Sequence, residues 1–169
     1  MRRDRESAAS PEAFQDLIPH NHCYGCGPNN PNGLRLKSYW SGDELSVARF
    51  TPEKYHCAGP KHFVNGGTLA TLIDCHCVCT AAAQAYRDVG RAIGSAPHLH
   101  YATARLQTEF LRPTPMGTEL RLEARITART ERTYVLSSTL EAQGKACVRA
   151  EVEAIAVPES WIHTTEVSG

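Results

Sequence analysis

From Gly66 to about Val89 the chain runs without a proline, carries Leu69, Leu72, Ile73, Ala82, Ala83 and Tyr86 at helical spacing, and closes at Gly90. The pattern predicts one long helix. A segment this apolar has to be buried, so the rest of the chain must supply a surface that covers it. Downstream, segments at about 99 to 111, 118 to 129, 133 to 142 and 146 to 157 alternate apolar with polar residues and are punctuated by Met116-Gly117, Thr130-Glu131 and Gln143-Gly144. Each reads as a strand with one apolar face. Upstream, residues 34 to 40 and 44 to 50 alternate in the same way around Ser41-Gly42-Asp43, which predicts a hairpin. The expected fold class is α+β: a hotdog arrangement, a long central helix wrapped by a curved antiparallel β-sheet. Periodicity alone equally allows another α+β sandwich.

With 169 residues, 41% of them hydrophobic, the chain has material for one domain with a core. Residues 1 to 19 are expected to form a flexible tail, 20 to 157 the domain, and 158 to 169 a second tail. Lys+Arg and Asp+Glu both number 18, so no net field favours nucleic acid or an anionic membrane, and neither is expected as a partner. No apolar run reaches the length of a membrane span and the start is polar, which leads to the expectation of a cytoplasmic protein. Seven cysteines, three of them at 75, 77 and 79, match no disulfide framework and fit a reducing compartment.

The segment with the clearest chemical content is Asn65-Gly66-Gly67-Thr68-Leu69-Ala70-Thr71-Leu72-Ile73-Asp74. Unpaired N–H groups at a glycine-rich helix start suit a developing oxyanion, so Gly66 and Gly67 are oxyanion-hole candidates; a glycine pair used only for close packing has the same sequence. Asp74 shares its helical face with Gly67, Ala70, Thr71, Val78 and Ala81. A carboxylate on that face loses solvation, which raises its pKa and suits a base or a nucleophile; a satisfied core Asp is the alternative. Gly67 and Asp74 lie about 10 Å apart along one helix axis, whereas both groups must come within about 3 Å of one reacting centre. Pairing two antiparallel helices across a two-fold axis, so that a glycine of one subunit faces Asp74 of the other, resolves this.

Three motifs then carry a resemblance: Cys23-Tyr24-Gly25-Cys26-Gly27-Pro28 running into Asn30-Pro31-Asn32-Gly33-Leu34, the glycine pair followed by Asp74, and Phe110-Leu111-Arg112-Pro113-Thr114-Pro115-Met116-Gly117. In this order, over about residues 22 to 157, the chain resembles the PaaI-like hotdog-fold acyl-CoA thioesterases. The resemblance implies a homodimer or a dimer of dimers and a CoA- or carrier-protein-linked acyl substrate. It also implies hydrolysis without metal or organic cofactor, with Asp74 as catalytic carboxylate and the glycine pair as oxyanion donor. It further assigns Thr103 as the hydroxyl that helps hold the water; strand alternation groups Thr103 with Arg105, Gln107 and Glu109 on a polar face. Many members carry His where this chain has Asn65, which can donate to a thioester carbonyl or cap the helix but cannot titrate. His56 and His62 lie just upstream as substitutes, with surface exposure the expected state of a loop histidine.

Among basic residues, Arg112, Arg105, Lys61 and Arg91 flank the expected site and are candidates for the CoA phosphates, alongside His62 as a substrate contact. His20, His22, Cys23 and Cys26, with Cys57, have the residue types of a zinc site but form a partial set, and the resemblance argues for a packed, metal-free loop. Cys75 and Cys79 share a helix face and are expected to be buried small hydrophobes, as is Cys77. Asp74-Cys75-His76 does not reproduce the acid and base pair of a hydratase. Two functions of different class remain: a thioester hydrolase, and a non-catalytic protein that binds an acyl or CoA ligand.

Overall fold

The computed structural model describes residues 11–162, and within them the expected helix spans Gly66–Asp88 (α2). Asn65 caps its start, its Oδ1 accepting the Thr68 N–H at 3.1 Å. At the other end Gly90, with φ of +66°, lets the chain turn back. The Gly90 N–H then reaches the Arg87 carbonyl at 3.0 Å and the Arg91 N–H the Tyr86 carbonyl at 2.9 Å, which is a Schellman closure.

The cover is a six-stranded antiparallel sheet: β1 (Lys37–Gly42), β2 (Leu45–Phe50), β3 (His100–Phe110), β4 (Leu120–Arg129), β5 (Thr133–Ala142) and β6 (Lys145–Val157), in spatial order β1-β2-β4-β5-β6-β3. Inward positions alternate as the pleat requires: Leu120, Leu122, Ala124 and Ile126 on β4, Tyr134, Leu136 and Leu140 on β5, and Val148, Val152 and Ala154 on β6 are buried. Two residues of α2 show how far the sheet curls. Asp74 and His76 project about 200° apart around the helix, yet Asp74 meets β3 through Thr103, while His76 meets β1 and β2 through Ser38 and Ser46. The two sides of one sheet therefore embrace opposite sides of one helix, and the hotdog expectation holds.

Two boundaries differ from the sequence expectation. Residues 34 to 36 stay out of β1 because Arg35 has φ of +55° and the Leu34 and Leu36 N–H groups bond to the Tyr24 and Gly25 carbonyls. The β1–β2 turn sits at Asp43-Glu44, with Glu44 at φ of +54°, one residue later than the glycine suggests. Residues 1–10 and 163–169, most of both expected tails, lie outside the described residues. Inside the stretch expected to be a tail, however, Phe14–Leu17 form a short helix (α1), and Ala13, Phe14 and Gln15 are buried. Phe14 packs on Trp40, with ring centroids 4.9 Å apart.

Gln15 also opens a buried polar chain. Its amide donates to Ser38 Oγ at 2.8 Å and its Oε1 accepts the Ser38 N–H at 2.8 Å. Ser38 Oγ lies 2.8 Å from His76 Nδ1, and Ser46 Oγ bridges His76 Nε2 and Thr80 Oγ1. Burial holds the His76 imidazole at a pKa of about 4, hence neutral, against the opposing bond from Ser46. Gln15→Ala would leave the buried Ser38 N–H without its acceptor, so it is expected to lower stability by about 1–3 kcal/mol in urea unfolding. A neutral result would return residues 11–19 to the status of a tail.

Candidate active site

Asp74 is half-buried on α2, four residues after Ala70 and four before Val78, on the small-residue face expected for it. Its Oδ1 accepts a hydrogen bond from Thr103 Oγ1 at 2.5 Å, and Oδ2 has no protein partner among the described residues. Burial pushes the carboxyl pKa up, partly offset by the Thr103 bond. Both residues line a cavity of about 350 Å³, whose wall also includes Val78, Ala82, Leu99 and Tyr101. A hydrogen-bonded polar pair on the wall of a mainly apolar cavity suits a ligand with an apolar body and one polar end.

Thr103 reaches this position for a reason that simple alternation misses. The β3–β6 register runs Thr103↔Ala154, then Arg105↔Glu153, so Ala104 is an extra residue forming a bulge. Beyond the bulge Arg105, Gln107 and Glu109 pair with Glu153, Glu151 and Arg149 on the outer face. Before it, Thr103 pairs with Ala154, which is fully buried on the inner face. The expectation that Thr103 shares a face with Arg105 is therefore corrected: the bulge turns the threonine inward onto Asp74.

At the start of α2 the Asn65 side chain is taken up with the Thr68 N–H, and the N–H groups of Gly66 and Gly67 have no protein acceptor among the described residues. Gly66 faces Phe110, at the far end of β3: a Cβ there would lie 3.6 Å from the phenyl ring. Thus β3 runs antiparallel alongside α2, Thr103 beside Asp74 and Phe110 beside the glycine pair. Within one chain the two candidate functions stand apart, as the helical rise requires.

The remaining candidates separate. Lys61 and His62 are exposed on a loop that hydrogen-bonds to the 112–116 turn (Val64 N–H to Thr114 carbonyl, Met116 N–H to His62 carbonyl), and so is Arg112. These three therefore gather near the start of α2. Arg105 is instead held by Glu151 and Glu153 on the outer face. Arg91 donates to the Ser95 and Pro97 carbonyls. His56 is buried, not exposed. Its Nδ1 accepts the Glu53 N–H at 2.9 Å, its ring packs between Phe50 and Tyr55, and burial lowers its pKa despite the nearby Glu53 carboxylate. It therefore shapes the loop rather than supplying an imidazole to the site. Cys23, Cys26, Cys75 and Cys79 also line the cavity. Sequence reasoning treated these thiols separately, and the i, i+4 spacing of Cys75 and Cys79, one residue past Asp74, was the available signal.

A family model for the acyl-CoA thioesterase N-terminal domain matches residues 52–156. The crystal structure of a thioesterase superfamily protein from Shewanella loihica PV-4 is similar at 37% identity and a TM-score of 0.62, covering 82% of this chain and 96% of that one. The E. coli PaaI protein from the phenylacetic acid degradation operon shares the fold at 17% identity and a TM-score of 0.60, covering 74% and 81% of the two chains. A phenylacetic acid degradation-related protein from Ralstonia eutropha JMP134 does so at 20% identity and 0.58, covering 72% and 85%. No curated protein matches at a significant level.

The bulge makes a measurable claim. In a double-mutant cycle of unfolding free energies, Asp74→Asn and Thr103→Val are expected to couple by about 1–2 kcal/mol. The same cycle with Arg105→Gln in place of the threonine change is expected to couple by less than about 0.5 kcal/mol.

Proposed function

The chain belongs to the acyl-CoA thioesterase family of hotdog-fold proteins, and we propose that it hydrolyses a CoA- or carrier-protein-linked acyl thioester at Asp74. The fold supports acyl-thioesterase activity in general. The observation that carries the specific reading is the half-buried Asp74 carboxylate, held by Thr103 on the wall of an apolar cavity.

With Oδ1 engaged by Thr103, Oδ2 is the atom that takes a proton from an attacking water. The water oxygen adds to the thioester carbonyl, and the carbonyl oxygen gathers negative charge against the N–H groups of Gly66 or Gly67. Collapse breaks the C–S bond, and the proton passes from Asp74 to the departing sulfur, leaving free acid and thiol. Asn65 orients the helix start by capping it. Arg112, Lys61 and His62 stand where the phosphates of a CoA-type thiol would approach.

Because Asp74 and the glycine pair of one chain are about 10 Å apart along α2, the site is completed by a second copy. The sheet geometry supports a particular pairing. β3 is an edge strand of 11 residues, and Leu106 and Phe110 are exposed on it. Such an edge invites another strand. An antiparallel β3–β3 pairing about a two-fold axis through Gln107 sets residue 105 of one chain opposite residue 109 of the other and, across the Ala104 bulge, residue 103 opposite residue 110. Thr103, which holds Asp74, then faces the end of β3 that touches Gly66 of the partner. A homodimer with two equivalent sites follows, or a dimer of such dimers.

Thiol release from a panel of short, long and aromatic acyl-CoA thioesters is the direct test. Asp74→Asn is expected to lower kcat/KM by more than about 100-fold, and Thr103→Val by about 10-fold. Gly66→Pro removes one N–H at a helix position that accepts proline, and is expected to cost about 100-fold. Mixing the Asp74→Asn and Gly66→Pro chains should regenerate one intact site per mixed dimer, up to about a quarter of wild-type activity. Inactive mixed dimers would reject the shared site. Tight acyl-CoA binding without turnover in the wild type would instead favour the ligand-binding alternative.

A further inference from the structure

Four of the seven cysteines converge on one wall of the cavity, drawn from two distant parts of the chain. The loop around Cys23-Tyr24-Gly25-Cys26-Gly27 lies so close to α2 that a Cβ on Gly25 would sit 2.3 Å from Cys75 Sγ and 2.8 Å from Thr71 Cγ2. This approach sets Cys23 Sγ 3.6 Å from Cys75 Sγ and Cys26 Sγ 3.7 Å from Cys79 Sγ. The sulfurs of Cys23, Cys26 and Cys75 all lie within 4.8 Å of one another. That group includes neither His20, His22 nor Cys57, the residues that made up a partial set with the loop pair in the sequence.

Sulfurs placed tetrahedrally around zinc at about 2.3 Å are separated by about 3.8 Å, so two edges of such a tetrahedron are already close to length. Cys79 lies one helical turn beyond Cys75 on the same face, and its sulfur already touches that of Cys26, which makes it the candidate fourth ligand. The chain segments have the form of a ligand frame: Cys-x-x-Cys on a tight turn, in which the Gly27 N–H reaches the Cys23 carbonyl at 2.8 Å, and Cys-x-x-x-Cys on a rigid helix. A Cβ on Gly27 would lie 2.4 Å from the Cys23 nitrogen, so the turn holds its shape only with glycine there. Asn21 Nδ2 donates to Cys26 Sγ at 3.9 Å, the outer-shell bond that a metal-bound thiolate attracts. Packing alone would be met by alanine or valine; thiols paired across the contact as Cys23 with Cys75 and Cys26 with Cys79 gain little from one another as weak donors.

We infer that Cys23, Cys26, Cys75 and Cys79 together bind one divalent zinc ion, which clamps the residue 21–34 loop to α2 beside the Asp74 cavity. On binding, each thiol loses its proton to solvent and donates a sulfur lone pair to the metal, with no change in oxidation state. Four protein ligands leave no open position, so the ion is structural: it fixes the cavity wall and takes no part in bond breaking. This inference stands whether or not the thioester is hydrolysed.

The full-length chain, expressed with zinc and purified under reducing conditions without chelator, is expected to carry about one zinc per chain, released when the thiols are capped by a mercurial. Replacement by cobalt should give thiolate-to-metal charge-transfer bands and the intense visible bands of tetrahedral coordination. Cys23→Ser and Cys79→Ser should each abolish stoichiometric zinc, while Cys77→Ser and Cys147→Ser retain it. Wild-type metal content and the cobalt spectrum decide the question even if a serine variant fails to fold. A folded wild-type chain that holds less than about 0.1 equivalent of either metal would overturn the inference, as would Cys23–Cys75 and Cys26–Cys79 disulfides in its place. Undiminished zinc in Cys79→Ser would overturn the four-ligand set.

Discussion

The structure depends on the burial of α2. Leu72, Ile73, His76, Cys77, Thr80 and Ala81 are all fully inaccessible, though they project in several directions around one helix. No flat sheet covers such a helix. The strands must curl until β1 and β2 reach one side and β3 the other, and the right-handed twist of an antiparallel sheet makes that curvature available. Once the sheet is wrapped, polar groups on α2 that point at it need partners on the strands. The His76 ring does so with Ser38 and Ser46, Asp88 with Tyr134 and Arg129, and Asp74 with Thr103. The first two fasten the helix in place. The third leaves one carboxylate oxygen without a protein partner among the described residues, on the wall of a cavity, which is why the proposed chemistry centres on it.

A single inserted residue, Ala104, couples the sheet to Asp74. Without the bulge Thr103 would project with Arg105 to the outer face, and the Asp74 carboxylate would be buried without a donor. The bulge lies on the edge strand, where an extra residue disturbs only one neighbouring ladder. The same edge carries the exposed apolar side chains of Leu106 and Phe110, so the partner of Asp74 and the proposed assembly surface lie on one strand. The opposite wall of the cavity comes from the cysteine-bearing loop, whose close approach to α2 is permitted by Gly25.

Much of this was legible in the residues. The proline-free apolar run announced α2 and its need for cover, and the four downstream segments appeared as strands within two residues of their predicted limits. Asp74 stood out because an acid on a small-residue helix face has to be explained. Local information failed at Phe14 and Gln15, whose burial depends on contacts with Trp40 and Ser38 more than twenty residues away. It also failed at His56, where a loop position gave no sign of the Glu53 N–H that fills its ring nitrogen.

Taken by itself, the sequence determined the element order, the α+β class and the acid on the central helix, because periodicity and side-chain chemistry are local properties; the curved sheet was favoured over another sandwich by the family resemblance. Only the tertiary structure decided that Thr103 turns inward, that Arg105 belongs to Glu151 and Glu153, and that Cys23 and Cys26 meet Cys75 and Cys79 rather than the nearby histidines. Those outcomes rest on strand register and on the approach of segments some fifty residues apart. Such distances are set when the whole core closes, and no window of the chain contains them.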